Sequence, residues 1–198
     1  MLFQGVDKRK KLICSFPKAL HDDVIAVLKT IPQKAYIPYD MSEDMSTYTL
    51  SSGKIQFPYR VYFYEPTSKE MYSLTKQQQD ILHCVYSRSH DGYMREKHIT
   101  ALLSTDFPEW VIPYIVKICD EYVIDILQVV YTNLKGKNTA HIKQFCADNH
   151  ASFYRSYNRM ISYWNAFYRH NCHRYEDYVG RKLFIECFGA KRTMKCSK

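Results

Sequence analysis

Six glycines and seven prolines among 198 residues are too few for a large sheet of short, turn-linked strands. Helices are therefore favoured. The seven cysteines (Cys14, Cys84, Cys119, Cys146, Cys172, Cys187 and Cys196) are odd in number and contain no Cys-x-x-Cys pair. Several fall on apolar helical positions, where a free thiol acts as a small hydrophobe. This argues against a disulfide scaffold and predicts a reducing, cytoplasmic setting. No apolar run is long enough for a bilayer. The greasiest stretch, 112–131, is interrupted by Lys117, Asp120, Glu121 and Asp125. No export signal is read either. The basic cluster Lys8–Lys11 is followed only by Leu12–Phe16 before Pro17, too short for a signal-peptide core. There is no Gly-rich phosphate loop, no Gly-x-Ser-x-Gly elbow and no dinucleotide fingerprint, so no cofactor is expected. No internal repeat and no low-complexity linker divides the chain, and a single domain over 1–198 is expected. Within it, 6–70 reads as a helix plus a β-hairpin and 71–198 as helical. Leu2-Phe3-Gln4-Gly5 resembles the cleavage site of a picornaviral 3C protease carried by expression vectors and reads equally as native sequence, so the expected fold does not rest on residues 1–5.

What is present is a strong charge asymmetry. Residues 131–198 hold 13 Lys and Arg against 4 Asp and Glu, whereas residues 1–130 hold 15 against 16. A basic end predicts an anionic partner. The compositional outlier is tyrosine, with 18 copies. Tyrosine brings a large apolar ring with a polar tip and suits interfaces and half-buried helix faces alike.

Along the chain, Ser15 is a candidate helix cap with Pro17 in the first turn. Leu20, Val24, Val27, Leu28 and Ile31 then repeat at three and four, ending at Pro32. Residues 33–45 read as loop. Thr47–Leu50 and Ile55–Phe57 flank Ser51-Ser52-Gly53-Lys54, a hairpin signal. Tyr59–Tyr64 is a further β-leaning run. Thr75 with Gln78 forms a capping-box pattern ahead of Ile81, Leu82, Val85 and Tyr86. A break at Ser89–Gly92 precedes a second helix, Arg95–Leu103. From Pro113 one enclosed central helix is expected to run to about Tyr131, followed by a short helix over 139–148 and a long one over 152–170. For 178–188 the periodicity decides neither strand nor helix. The expected fold is mainly α: packed helical hairpins, solenoid-like or an irregular bundle, with a small N-terminal β element.

The long helix is the best-defined object. Phe153, Tyr157, Met160, Ile161, Trp164, Phe167 and Tyr168 fall on one side at 100° per residue; Arg155, Arg159 and Arg169 fall opposite, flanked by Tyr154 and Tyr163. Arginine forks fit phosphate or carboxylate, and neighbouring rings can stack on bases. The plain alternative is a solvated outer face. Arg155, Arg159, Arg169, Arg174, Tyr154 and Tyr163 are the predicted binding residues. Lys117, Glu121, Asp125 and Gln128, with Asp120 beside them, draw a polar line on the expected central helix. Such charges need partners, with Arg88 and Arg95 as candidates, and an ion-pair network accounts for them better than a carboxylate active site. His90, Asp91 and His98, and His170, Cys172 and His173, are metal-capable residues without a recognised ligand spacing, so no metal site is predicted.

His141-x-Lys143-x-x-x-x-Asp148 matches, letter for letter, the HxKxxxxD pattern of the phospholipase D superfamily. That resemblance implies a histidine nucleophile and a phosphate-steadying lysine. The superfamily's motif lies on a strand and its turn and is used in two copies. Here the segment reads as helix, and no second copy is present. An inert match is expected.

The function expected from the sequence is therefore a cytosolic, non-enzymatic interaction protein that docks an acidic partner through its basic C-terminal face. The alternative is a nucleic-acid-binding module on the same face. A phosphodiesterase or metal-dependent hydrolase is the more remote reading.

Overall fold

Apolar periodicity and helix signals produce a mainly α fold with a small antiparallel sheet near the N-terminus, as the sequence predicts. The structure is a computed structural model that describes residues 9, 11–37 and 40–191. Leu2–Gly5, Lys8 and Lys10 of the basic cluster, Pro38 and Cys196 lie outside the described residues. The chain divides into two compact units, Met1–Tyr114 and Ile115–Lys198.

In the first unit, the predicted cap at Ser15 does not form. The stretch makes two 3-10 turns, Lys11–Ser15 and Lys18–Leu20, and helix α1 begins only at His21 (His21–Thr30). Pro17 sets the second turn. The Ser15 hydroxyl is buried rather than turned to a helix end, and its carbonyl accepts from Tyr114 Oη at 2.8 Å. Val24 and Val27 form the buried face of α1, and Ile31 follows them into the core.

Strands β1 (Met45–Leu50) and β2 (Gly53–Pro58) pair antiparallel, with Leu50 opposite Gly53. The loop is thus Ser51-Ser52, and Gly53 takes a φ of 122° that a side chain would resist. Tyr48 and Leu50 alternate inward, and Ile55 and Phe57 do the same from the partner strand. Tyr59–Tyr64 does not become a third regular strand. Val61 bridges Met41 and Ser89, while Phe63 bridges Ala35. This extended segment carries the buried Phe63 and Val61 between a loop and a helix end.

Two capping boxes start the next helices. Thr67 with Glu70 starts α2 (Ser68–Tyr72), and Thr75 with Gln78 starts α3 (Lys76–Tyr86). Asp91 Oδ1 accepts from the backbone N–H of Tyr93 and Met94, so α4 begins at Gly92, earlier than the apolar periodicity suggests (Gly92–Leu103). Tyr114 closes an aromatic stack, with ring centroids 5.5 Å from Phe16 and 4.3 Å from Phe57.

The single central helix is corrected to two. Helix α5 (Ile112–Ile118) stops, residues 119–123 turn, and α6 (Ile124–Leu134) starts again. A buried ion pair lies at the break. Lys117 Nζ reaches Asp120 Oδ2 at 2.6 Å, and the Ser156 hydroxyl donates to the same oxygen at 3.0 Å. Lys117 and Ser156 thus meet on Asp120 Oδ2, while Asp120 Oδ1 is buried without a hydrogen-bond partner among the described residues. The polar line from Lys117 to Gln128 therefore does not exist as one helix face.

The second unit continues with α7 (Ala140–Asp148) and α8 (His150–Tyr163). A π-helical turn, Trp164–Tyr168, extends α8. The ambiguous tail is helical, with α9 (Val179–Lys182) followed by another π-helical turn, Leu183–Cys187. Phe153 and Tyr157 stack on Phe184 at 5.6 and 5.3 Å, and Met160 and Leu183 complete this core. Gly180 permits the close approach of α9 and α8. A Cβ there would lie 2.6 Å from Tyr178 Cε1 and 2.8 Å from Met160 Sδ.

Among the described residues, no helix is long and apolar enough to cross a membrane. Cys14, Cys84, Cys119, Cys146, Cys172 and Cys187 are free thiols. Burial pushes the buried ones up, Cys187 to about 11, which leaves them poor nucleophiles.

Candidate functional site

Helix α8 and its π-helical extension carry the basic face. Arg155, Arg159 and Arg169 are exposed, and Tyr154 and Tyr163 are half-buried between them and the core. Residues 149–175 contain no Asp or Glu at all. Within that stretch stand all four candidate arginines, Arg174 included. Arg155 Nη2 donates to Ser152 Oγ at 2.9 Å, and Arg169 Nη1 donates to Asn165 Oδ1 at 3.1 Å. Arg174 lies beyond the helix, 3.8 Å from the Asp177 carboxylate, with both side chains well exposed. These are bonds to short surface groups, which a ligand can displace. The Tyr154 ring packs 4.4 Å from His150, and its hydroxyl accepts from the Lys191 N–H.

The structure changes one assignment on this helix. Phe167, expected on the buried stripe, is 51% exposed, while Trp164 is only 8% exposed. The π-helical turn is the reason: the N–H of Arg169 bonds the Trp164 carbonyl at 2.9 Å, five residues back. A wider turn advances less than 100° per residue. Tyr168 then reaches the stripe, and Phe167 falls short of it. Tyr168 stacks on Tyr178 at 5.8 Å and donates its hydroxyl to the Tyr122 carbonyl. Tyr122, in the turn between α5 and α6, is 53% exposed. Its ring lies 6.0 Å from Tyr163 and 6.1 Å from Phe167, and the last two are 6.1 Å apart. Arg155, Arg159, Tyr163 and Phe167 therefore follow one another at four-residue spacing, two guanidiniums leading into a cluster of three rings. The ridge spans ~18 Å at 1.5 Å rise per residue. Sequence reasoning missed Tyr122 and Phe167 because neither the helix break nor the wide turn has a glycine or proline to announce it.

The phospholipase D-like letters lie on helix α7. His141, Lys143 and Asp148 are all at exposed positions, and Asp148 accepts from Gln144 at 2.8 Å. No strand carries them.

The first unit holds a polar line, unannounced by any spacing, that joins three elements. Glu65 Oε1 lies 3.1 Å from His98 Nε2, and His98 Nδ1 lies 2.7 Å from His83 Nδ1. Lys97 Nζ also meets Glu65, at 2.6 Å. Hydrogen bonds from His98 and Lys97 hold the Glu65 carboxyl at about 2, so it stays ionised. It must accept, so His98 donates through Nε2. His98 Nδ1 is then the acceptor, and His83 donates through its own Nδ1. Burial, with His98, Lys76 and Lys97 nearby, pushes His83 down to about 4. Burial also lowers His98, against the pull of Glu65. The line ties α3 and α4 to the extended segment while both rings are neutral. His90 stands apart, its ring 4.5 Å from Tyr36 and 5.5 Å from Tyr62, so it does not converge with His98 on a metal. Among the described residues no three His, Cys, Asp or Glu side chains are placed to hold a metal ion.

The sign of the pH effect follows. His83 binds a proton more weakly folded than unfolded, so its contribution to stability is complete above about 6.5 and is lost as pH falls towards 4. Glu65 acts in the same direction lower down, from 4.5 towards 2. Stability is expected to fall by roughly 2–3 kcal/mol between neutral pH and the His83 midpoint. Urea unfolding at a series of pH values checks this. The His83→Gln variant should show a flatter profile in that window; an unchanged slope would remove His83 as its source.

No protein-family model, curated protein or solved structure matches this chain.

Proposed function

We propose that the protein is a non-enzymatic interaction protein that docks an anionic partner through the basic face of its second unit. The supporting observation is the carboxylate-free stretch 149–175, with Arg155, Arg159, Arg169 and Arg174 exposed along it. Within 149–175 no carboxylate offsets the arginines, and Asp177, just beyond, pairs with Arg174; an anionic surface therefore gains from the guanidiniums it meets. An acidic protein partner fits this charge. Nucleic acid is the second reading, favoured by the exposed rings of Tyr122 and Phe167 beside the same arginines. Cytosolic residence accords with the free, buried thiols.

The arginines are separable from the core, because the packed side of α8 is Phe153, Tyr157, Met160 and Trp164. The triple variant Arg155→Ser, Arg159→Ser, Arg169→Ser should change stability by less than about 0.5 kcal/mol per site. It should lose most of its binding to heparin-type and nucleic-acid polyanions, with a shallower salt dependence. A collapsed melting transition, or unchanged polyanion binding, would end this reading.

A further inference from the structure

We infer that the ring cluster Tyr122, Tyr163 and Phe167 is a stacking platform that makes the basic face a site for single-stranded nucleic acid; this rests on the anionic-partner reading and narrows it.

Three observations carry it. Two large rings are exposed where the packing does not need them: the core side of the same turn is already filled by Trp164 and Tyr168. The Trp164 ring packs 4.8 Å from Tyr175, and its Nε1 donates to the Cys172 carbonyl at 3.0 Å. The backbone that carries the rings is also tied, and the rings meet at 70° (Tyr122–Tyr163), 48° (Tyr122–Phe167) and 33° (Tyr163–Phe167). The Tyr168 hydroxyl bonds the Tyr122 carbonyl, tying the 119–123 turn to the π-helical turn, and the three centroids stay within about 6 Å of one another. Aromatic side chains have few rotatable bonds, so rings clustered in this way lose little freedom when a base stacks on them. Finally, the cluster continues the ridge of Arg155 and Arg159, so phosphates on the guanidiniums would lead bases to the rings. A duplex offers its phosphates but keeps its bases stacked away. An acidic protein offers carboxylates but no matching row of flat faces. A single strand offers both.

The test uses the full-length protein and three probes: a mixed-sequence single-stranded oligonucleotide, the same length of duplex, and an abasic oligonucleotide with the same phosphates. Polyglutamate is the acidic-protein control. The single strand is expected to bind about tenfold or more tighter than its abasic counterpart, the increment of stacking one or two bases. Phe167→Ala and Tyr122→Ala should each erase about a threefold or larger share of that preference, leave abasic binding unchanged and leave the melting temperature unchanged. Phe167→Trp should retain the preference, because it keeps a flat face. Equal binding of all polyanions, or single-strand binding unaffected by both alanine variants, overturns the platform and leaves the basic face standing. Preference for polyglutamate overturns it in favour of an acidic protein. No binding of any probe overturns the platform and the basic-face reading together.

Discussion

Replacing Lys117 with methionine is expected to destabilise the protein by about 3–5 kcal/mol, the usual cost of leaving a buried charge without its partner. Lys117 is buried, and its Nζ is 2.6 Å from Asp120 Oδ2. Asp120 is 2% exposed, and of its two oxygens Oδ2 takes the bonds from Lys117 and from Ser156, while Oδ1 has no hydrogen-bond partner among the described residues. Without the ammonium, the carboxylate has only a hydroxyl left to it. The second change Asp120→Leu in the Lys117→Met background should recover a substantial part of the loss, since exchanging both charges for apolar groups costs less than orphaning one. Chemical denaturation of the two single variants and the double variant gives the coupling directly. Additive losses would mean that the pair does not act as a unit.

Trp164→Ala should cost about 3–5 kcal/mol, as large aromatic truncations in cores do. The indole lies where α8 passes into the π-helical turn and carries two duties there: its ring fills space against Tyr175, and its N–H satisfies the Cys172 carbonyl. Truncation leaves a cavity and an unpaired carbonyl, so the segment around 171–177 should loosen first. Trp164→Phe should recover part of the packing and none of the hydrogen bond. Urea unfolding gives the magnitude, and amide exchange over 171–178 the location. Wild-type stability in Trp164→Ala would remove this residue from the core.

The sequence carried those parts of the fold that are written in local chemistry. Thr75 and Gln78 announce the start of α3 because a capping box is made within four residues. Gly53 and its flanks announce the hairpin for the same reason. The buried stripe Phe153, Tyr157, Met160 and Trp164 was legible because an α-helix has one period. Legibility ended where long-range pairing takes over. At the break after Ile118, Asp120 takes a hydrogen bond from Ser156, which is distant in sequence. The Glu65–His98–His83 line depends on how α3 and α4 cross, which no spacing encodes. Of the candidate site, the arginines could be read from a helical wheel, whereas Phe167 could not, because the wheel assumes a constant turn.

That wide turn has a consequence for length variation. A π-helical turn is an α-helix that has taken in one residue, so its natural editing event is a one-residue deletion. Asn165 and Ala166 are exposed, whereas Trp164 and Tyr168 are the two anchors of the turn. Loss of Ala166 would bring those anchors to three-residue spacing, still neighbours on a regular α-helix. The gap is therefore tolerable to the core at this point, and Phe167 remains on the outside of a shortened, straighter helix.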